Sequence, residues 1–372
     1  MHMTRSPGEF IRDELKSRGW TQDDLARVLN RPLPTVNEII QGKRGIMPEM
    51  AIALGSAFDM PPEVWMEREG LYRLSLAGVD KSDDVRRRSK LYALAPIKEI
   101  QKRGWITAST DLDVTERDIL RLLEIKSIEQ EPTATGVMRK TRPDLALTPA
   151  QRAWFYRVRH LASALQVSRF DDSKMGACQA ELRRLAAYSK TASKVPAVLG
   201  KYGIRFVVVE PLTGGKVDGV ATWLSDTEPV IGMSIRFDRL DSFWFTLGHE
   251  MTHIRHRDAS PLDTDLTYQG DAAASKSDIE IRADEESAAM FIPPAELKSF
   301  ILRSSPIYSK ERINQFANRI KIHPGLIVGQ LQHRREIGYH ANRDTLTPIR
   351  AIVTSTALTD GWNHTIDQRV SS

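Results

Sequence analysis

Two histidines flank a glutamate at the spacing of a metal site in the stretch Gly248-His249-Glu250-Met251-Thr252-His253. In an α-helix His249 and His253 project from one face, because they are four residues apart, and both imidazoles can reach one ion. Zn²⁺ is the ion that this pattern favours, and Glu250 can take a proton from a water that zinc acidifies toward a pKa of ~7. We therefore predict a zinc site that hydrolyses peptide bonds, with Glu250 as general base. A pair of surface histidines on an amphipathic helix is the alternative.

A catalytic zinc needs a third protein ligand besides an open position. Ser277 can cap a downstream helix on which Glu280 and Asp284 share a face. We predict that Glu280 binds the metal and that Asp284 accepts a hydrogen bond from a ligand histidine. An ordinary solvated acid is the alternative for Glu280, and His256 is a rival ligand about 60° off the face of the two histidines. Weaker ligand candidates occupy the polar stretch between the two helices: Asp258, Asp263, Asp265 and Asp271.

A second constellation, in residues 21–26 and 33–42, has the spacing of a helix-turn-helix. The second helix of such a pair lies in the major groove of DNA and contacts base edges with its first exposed residues. Acidic residues are interspersed, so a domain for dimerisation or partner binding alone is the alternative. The candidate DNA contacts are Gln22, Leu33, Pro34, Thr35, Asn37 and Glu38, together with three flanking cations that could neutralise phosphates, Arg31, Lys43 and Arg44.

Two further features of the sequence give weaker evidence for a functional site. Cys178 is the single cysteine, which excludes an intrachain disulfide or a cysteine-based metal site, and no partner motif accompanies it as a nucleophile. A basic cluster is best explained as a solvated helix face, with a phosphate-contacting strip as the alternative. Its members are Arg86, Arg87, Arg88 and Lys90.

Short helices must position the helix-turn-helix residues. A helix that Gly19 ends is followed by one that Thr21 caps. Prolines at Pro48 and Pro61 predict the start of a fourth and a fifth helix, so residues 7–77 should form a compact all-α domain. The positions predicted to be buried in the second and third helices are Leu25, Val28, Leu29, Val36, Ile39 and Ile40.

The helix with the paired histidines follows a strand-rich segment. Three runs predict strands: residues 204–209, 219–224 and 230–235. The first run is β-branched and apolar throughout, which suits burial on both faces, and such strands could bind an extended peptide at the edge of a sheet. Helical periodicity returns from Leu240, so this part of the chain is predicted to be α+β. Residues 80–200 have a mainly helical pattern, with a loop or linker at 129–148.

Length and composition limit the number of domains and the class of protein. A chain of 372 residues is expected to form two or three domains, and its 41% hydrophobic and 27% charged residues are typical of a globular protein. No apolar run approaches the ~18 residues that span a bilayer, and the N-terminus lacks the pattern of a secretory signal. We therefore expect a cytoplasmic protein with no membrane partner. The net charge of +5 mildly favours a nucleic-acid partner.

Both constellations resemble known families. Residues 7 to about 72 resemble the HigA-type helix-turn-helix antitoxins of the Xre group, and residues 195 to about 341 resemble the ImmA/IrrE family of zinc peptidases. The first likeness depends on segments 7–10, 42–49 and 62–65, and the second on segments 243–253, 280–284 and 291–293. The sequence distance from His253 to Glu280 fits the third ligand of the peptidase family. One position departs from the pattern, since Glu286 stands where phenylalanine is common.

The two resemblances together imply a DNA-binding transcriptional regulator with a fused zinc endopeptidase. ImmA/IrrE peptidases cleave Xre-type repressors and so release stress, phage or mobile-element genes, whereas HigA antitoxins repress their own operon and bind a toxin. The implied partners are operator DNA, a regulatory protein substrate and a toxin, and a homodimer is expected because such domains bind two half-sites. Two alternatives stay open: a non-proteolytic antitoxin or repressor with a sensory or structural zinc module, and self-cleavage between residues 129 and 148.

We thus predict a multidomain chain in four parts. Residues 1–78 form the all-α helix-turn-helix domain and residues 79–194 a helical spacer. Residues 195–343 form an α+β, zincin-like domain with a small sheet, and residues 344–372 a C-terminal tail in which Trp362 is a candidate anchor onto the core.

Overall fold

The computed structural model describes residues 5–76, 80–132, 147–258, 263–264 and 277–362. The chain divides into two compact units, Met1–Arg87 and Arg88–Ser372. The first unit contains α1 (Pro7–Arg18), α2 (Gln22–Val28), α3 (Leu33–Ile40), α4 (Pro48–Phe58) and α5 (Pro62–Leu76), and α6 (Asp80–Leu94) crosses the boundary.

Capping residues mark the start of α1 and α2 and the end of α1. Ser6 and Glu9 form a capping box at the start of α1, in which each side chain accepts a hydrogen bond from the other residue's backbone N–H. Thr21 and Asp24 form the same arrangement at the start of α2. Gly19 follows α1 with φ 68°, a left-handed conformation that glycine adopts without the steric penalty of a Cβ. The predicted N-cap at Thr21 and helix end at Gly19 are confirmed.

The core of the first unit contains most of the positions predicted from periodicity. Five of these positions are buried: Leu25, Leu29, Val36, Ile39 and Ile40. The prediction for Val28 was wrong, because this side chain is 51% exposed. Leu25 and Ala26 set the buried side of α2, and Val28 lies about 160° around the helix from Ala26. The aromatic rings of Phe58 and Trp65, 5.6 Å apart, join α4 to α5.

The second unit combines helices with a small sheet, as the strand-rich segment predicts. Its helices are α7 (Ile97–Lys102), α8 (Leu112–Leu122), α9 (Pro149–Ser163), α10 (Met175–Leu185), α11 (Val195–Lys201), α12 (Leu240–His256), α13 (Asp278–Phe291), α14 (Pro294–Ser304), α15 (Lys310–Ile320), α16 (Pro324–His333) and α17 (Arg350–Thr354). Its strands are β1 (Arg205–Val209), β2 (Val217–Trp223), β3 (Pro229–Met233), β4 (Asp263–Thr264) and β5 (Leu358–Asp360). The three predicted strands correspond to β1, β2 and β3.

The described strands form one sheet in the order β4-β2-β3-β1-β5. β1 runs parallel to β3, with Phe206 opposite Ile231, and parallel to β5. β2 runs antiparallel to β3, with Ala221 opposite Ile231, and antiparallel to β4, with Gly219 opposite Asp263. The sheet is therefore mixed, and β4 lies on the outer side of β2.

Both faces of the sheet are covered, which explains why β1 is apolar throughout. Phe206 and Val208 pack in the core that contains α12, whereas Val207 and Val209 pack in a second core that contains α7, α8 and α9. Successive side chains of a strand point to opposite faces, so a strand covered on both sides needs apolar residues at every position.

The arrangement of the second unit differs from the predicted spacer and tail. Residues of the predicted spacer, in α7 to α9, cover one face of the sheet. The predicted tail supplies β5, in which Asp360 forms a buried ion pair of 2.5 Å with Arg157 of α9. Trp362 packs partly buried against the core, and its backbone N–H donates to Glu210 at 2.8 Å. The apolar pattern of β1 predicts that both of its faces are covered, but it does not predict which segments cover them. No described helix is both long and apolar enough to cross a membrane.

Candidate metal centre and helix-turn-helix surface

α12 places three polar side chains in the interior of the second unit. Phe243, Trp244 and Leu247 fix the helix in the hydrophobic core. Further along the same helix, His249, Glu250 and His253 are each 0% exposed. Burial of such groups is unfavourable unless other elements supply partners for them.

The main partners come from α13, which packs closely against α12. A Cβ on Gly248 would lie 2.6 Å from the Ser287 hydroxyl oxygen and 3.0 Å from the Phe291 ring, so glycine permits this approach without displacing those side chains. The Ser287 hydroxyl donates to the backbone carbonyl of Phe245 at 2.7 Å. The hydroxyl of Ser277 caps α13 by accepting from the Glu280 N–H, as predicted. The contact between the helices places Glu280 opposite the two histidines.

Three potential ligand atoms converge at this point. The Nε2 atoms of His249 and His253 are 3.0 Å apart. The Glu280 carboxylate lies 3.2 Å from His249 Nε2 and 3.8 Å from His253 Nε2. One ligand atom from each residue lies within 4.8 Å of the others. The structure thus brings together the three residues predicted as ligands.

A carboxylate holds the second ring nitrogen of each histidine. His249 Nδ1 lies 3.0 Å from Asp284 Oδ1, as predicted, and His253 Nδ1 lies 3.3 Å from Asp258 Oδ2. Arg282 in turn donates to Asp258 at 2.5 Å. A carboxylate accepts hydrogen bonds, so these contacts favour the tautomer in which Nδ1 carries the proton.

This tautomer makes the converging atoms suitable for a cation. With the proton on Nδ1, the Nε2 atoms of His249 and His253 both present lone pairs. Neither Nε2 atom then carries a hydrogen that it could donate to the other. Glu280 adds a carboxylate whose Oε1 accepts no hydrogen bond from the described residues. Edges of about 3.3 Å are expected for a tetrahedral zinc site with ligand distances of ~2.0–2.1 Å, close to the separations found here. The donor set of two imidazoles and one carboxylate fits zinc.

The other ligand candidates are placed elsewhere or outside the described residues. His256 Nε2 lies 2.9 Å from the Glu286 carboxylate and is not part of the converging set. Asp258 orients His253 through Nδ1, a role that the sequence analysis missed, although its place five residues after His253 is a usable signal. Asp263 belongs to β4, while Asp265 and Asp271 lie outside the described residues. Glu286, the departure from the family pattern, is a hydrogen-bond partner of His256.

The carboxylate of Glu250 faces strand β2 of the sheet. A Cβ on Gly219 of β2 would lie 2.2 Å from Glu250 Oε1, so the absence of a side chain at Gly219 makes room for this carboxylate. The carboxylate of Glu250 therefore lies next to the backbone of β2, close to the point where β4 pairs with it.

The predicted DNA-contacting residues form a largely exposed surface on and beside α3. Exposed members are Gln22, Arg31, Leu33, Pro34, Glu38, Lys43 and Arg44, and half-buried members are Thr35 and Asn37. The Arg44 guanidinium lies 3.7 Å from the Glu38 carboxylate. The Asn37 side-chain oxygen is buried and accepts no hydrogen bond from the described residues. α2 and α3 thus have the geometry of a helix-turn-helix, with a cationic rim.

Two weaker sequence features are accounted for by packing and ion pairing. Cys178 is 0% exposed, and burial raises the pKa of its thiol to about 12, so it is unsuited to act as a nucleophile. The basic cluster lies on α6, where Arg86 is 3.7 Å from Asp83 and Lys90 pairs with Glu129. These ion pairs agree with a solvated helix face.

Comparisons with known proteins concern the first unit. Residues 11–65 match the family model described as helix-turn-helix. Virulence-associated protein A' of Dichelobacter nodosus is 37% identical over 81 residues, which cover 22% of this chain and 70% of that protein. The uncharacterised HTH-type transcriptional regulator YddM of Escherichia coli (strain K12) is 29% identical over 85 residues, covering 23% of this chain and 88% of that protein.

Two solved structures are similar to the same part of the sequence. The Pseudomonas aeruginosa antitoxin HigA, solved with the higBA promoter, is 37% identical, and the alignment covers 22% of this chain and 90% of that one with a TM-score of 0.21. An addiction module antidote protein of the HigA family from Coxiella burnetii is 29% identical, with coverages of 22% and 89% and a TM-score of 0.21.

The fold of the first unit and its matched residues define a helix-turn-helix regulator. The chain belongs to the helix-turn-helix family, with the matched residues 11–65 in its first unit. The helix-turn-helix predicted for this part of the sequence is confirmed by these sequence matches.

Proposed function

We propose that this chain is a DNA-binding regulator whose second unit is a zinc-dependent endopeptidase that acts on a regulatory protein. The observation that carries the proposal is the convergence of His249, His253 and Glu280 beside Glu250, in the interior of the second unit. The helix-turn-helix of the first unit supports a regulatory role at DNA.

Each residue of the site has a distinct role in the proposed reaction. His249, His253 and Glu280 would hold the zinc, and three protein ligands are the number found in catalytic zinc sites. When bound, zinc supplies Lewis acidity towards a water and a peptide carbonyl. Asp284 and Asp258 keep both imidazoles in the tautomer that presents Nε2 to the metal.

Glu250 moves the protons of the hydrolysis. Its carboxylate accepts a proton as the oxygen of the attacking water bonds to the peptide carbonyl carbon. The carbon–nitrogen bond then breaks, and the same proton passes to the departing amine. The second proton of the water then passes from the new carboxylic acid to the amine, so the products are a carboxylate and an ammonium group and the reaction needs no reactant besides water.

An extended substrate would bind beside the outer strands of the sheet. β2 passes over Glu250 at Gly219, and its outer side is paired with β4 at this point. A peptide that adds a strand here therefore pairs with β4 or takes its place.

The first unit is the part of the chain that would bind DNA. α3 would lie in the major groove, with Thr35 and Asn37 at base edges and Lys43 and Arg44 at phosphates. A homodimer would bind two half-sites about 34 Å apart, and a toxin partner is proposed on the resemblance to HigA antitoxins, one of which was solved with its promoter.

Glu250→Gln tests the proposed peptidase activity. A neutral amide cannot accept the proton, so cleavage is expected to fall about 10²–10⁴-fold while zinc stays bound. Cleavage is measured on peptides from a digested bacterial proteome, with new termini identified by mass spectrometry, and zinc is measured by elemental analysis. The control is Glu311→Gln, exposed on α15. Unchanged cleavage by zinc-loaded Glu250→Gln would show that the proposed mechanism is wrong.

One observation favours a second candidate function, a regulator whose zinc site is structural or sensory. Both histidines and Glu250 are 0% exposed, and structural zinc sites are closed whereas catalytic sites keep an open position. Stoichiometric zinc in a wild-type protein that cleaves no peptide of the library is the result expected for this candidate. The third alternative, self-cleavage at 129–148, largely falls outside the described residues, and mass spectrometry of the purified protein with and without zinc tests it.

A further inference from the structure

A cavity of about 250 Å³ lies beside the candidate metal centre, between α12, α13 and α16. Its walls include Ser242, Phe245, Phe291, Leu326, Gln330 and Tyr339. We infer that this cavity binds a bulky apolar side chain, such as that of leucine, methionine or phenylalanine, in the peptide that the enzyme cleaves. This inference rests on the proposed function and adds the class of side chain that the site selects.

The side chain of Phe245 forms a wall of the cavity on the side of the metal centre. Phe245 stands four residues before His249 on α12, so both side chains lie on one face of the helix. The Phe245 ring lies 6.3 Å from the His249 ring and 5.9 Å from the ring of His333, which lines the cavity. A peptide whose carbonyl lies at His249 therefore has an adjacent side chain beside the cavity.

The chemistry of the walls favours an apolar occupant. The charged groups that line the cavity neutralise each other, since Arg239 donates to the Asp241 carboxylate at 2.7 Å and to the Gln332 side-chain oxygen at 3.0 Å. The rings of Phe245 and Phe291 supply apolar surface nearby. A charged side chain would lose its hydration without gaining an unpaired counterion, whereas an apolar one loses contact with water favourably.

The size and access of the cavity agree with a single side chain. Pockets for drug-sized ligands and cofactors measure about 300–1,000 Å³, so a volume of about 250 Å³ is too small for most of them. Phe237 and Tyr339 also line the cavity and are 36% and 53% exposed. The cavity therefore opens to solvent, and a substrate side chain can enter it.

The test compares the cleavage specificity of the full-length, zinc-loaded protein with that of two cavity-filling variants. Ser242→Leu fills the cavity from the buried end, and Gln330→Phe fills it from a half-buried position on α16 where the risk of misfolding is lower. The matched control is Ser163→Leu, exposed on α9. Zinc content and melting temperature are recorded for each protein, and the substrates are the proteome-derived peptides.

The wild type and the control are expected to prefer leucine, methionine or phenylalanine at one fixed position next to the cleaved bond. Filling the cavity is expected to reduce this preference over alanine by about tenfold or more, because one or more methylene groups no longer fit. Cleavage without an apolar preference, or an unchanged preference in both folded variants, overturns the inference.

A binding measurement separates failure of this inference from failure of the proposed function. The probe is acetyl-(4-fluoro)phenylalanine amide, followed by ¹⁹F NMR line broadening on the metal-free protein, with acetyl-alanine amide as competitor. Broadening by the wild type and Ser163→Leu, lost in the filled variants, supports the ligand class even if no peptide is cleaved, in which case the proposed peptidase activity fails. Absence of both cleavage and broadening overturns the inference together with the proposed function.

Discussion

At the scale of single residues, the geometry of the candidate metal centre depends on side chains that would bind no metal. Asp284 of α13 holds His249 at Nδ1, and Asp258 holds His253 in the same way. Arg282 keeps Asp258 in place. These contacts set the tautomer and the ring orientation of both histidines, so their loss should weaken zinc binding without removing a ligand.

Asp284→Asn is therefore expected to lower zinc affinity about 10–100-fold, because the amide is a weaker acceptor for the Nδ1–H of His249. Affinity is measured by competition with a chromophoric chelator at pH 7.5. The neighbouring Glu285→Gln, exposed on α13, removes the same charge from the same turn and should bind zinc like the wild type. Equal affinities in the two variants would show that Asp284 does not orient the ligand.

At the scale of elements, α3 and the segment after it determine how the first unit meets DNA. Lys43 is exposed just beyond the end of α3, and a lysine on a phosphate releases condensed counterions. Lys43→Ala is expected to reduce the slope of log affinity against log salt by about 0.9.

The slope is measured by fluorescence anisotropy between 50 and 200 mM salt, on a duplex that the protein selects from random sequence. Lys16→Ala, exposed near the end of α1, removes the same charge away from α3 and serves as the control. A slope that changes equally in both variants would assign the effect to net charge and not to a phosphate contact of Lys43.

The start of α16 depends on a neutral histidine. His323 Nδ1 accepts a hydrogen bond from the Gly325 N–H at 3.1 Å as the N-cap of α16. Burial lowers the pKa of His323 below its ordinary value, so the folded state favours the neutral form. The stabilisation is present above the unfolded pKa of ~6.5 and is lost as the pH falls through that value towards the lower folded pKa.

His323→Asn keeps an N-cap but does not titrate, so the free energy of unfolding of the second unit should fall less between pH 7.5 and 5.5 than in the wild type. Urea unfolding of the metal-free proteins at the two pH values measures the difference, which avoids the titration of bound ligands. An identical pH dependence in both proteins would exclude a role for His323.

At the scale of the whole molecule, the chain consists of two compact units, each with its own hydrophobic core. The converging ligands lie in the second unit alone. A ligand that binds the native state stabilises it by about 4 kcal/mol at a thousandfold excess over its Kd. Zinc should therefore stabilise the second unit and leave the first unchanged.

Calorimetry with and without a chelator is expected to show two transitions, one of which moves to lower temperature when zinc is removed. His249→Ala should abolish this shift. Leu54→Ala leaves a cavity at a buried position of the first unit. It should reduce the free energy of unfolding of that unit by about 2–5 kcal/mol and so move the other transition to lower temperature. A single transition that moves as a whole when the chelator is added would indicate that the two units unfold together.

The range of an interaction determined how well the sequence predicted it. The caps at Thr21 and Ser277 were predicted correctly, because a cap involves neighbours three residues away. A hydrogen bond from a ligand histidine to Asp284 was predicted because Asp284 shares a helix face with Glu280, and the structure shows that the histidine is His249. Val28 was placed wrongly, since which side of a seven-residue helix is buried depends on the elements around it.

The sequence by itself determined the local part of the candidate site. Helical geometry puts His249 and His253 on one face wherever the helix lies, and the capped helix that follows puts Glu280 and Asp284 on another. Only the tertiary structure decided that these faces meet, through the close approach at Gly248. The tertiary structure also decided that Asp258 orients His253, that His256 contacts Glu286, and that a cavity lies beside the site. Zinc binding and peptide hydrolysis stay predictions. The reason for the division is physical: periodicity and caps act over a few residues, whereas contacts between elements depend on how the whole chain packs.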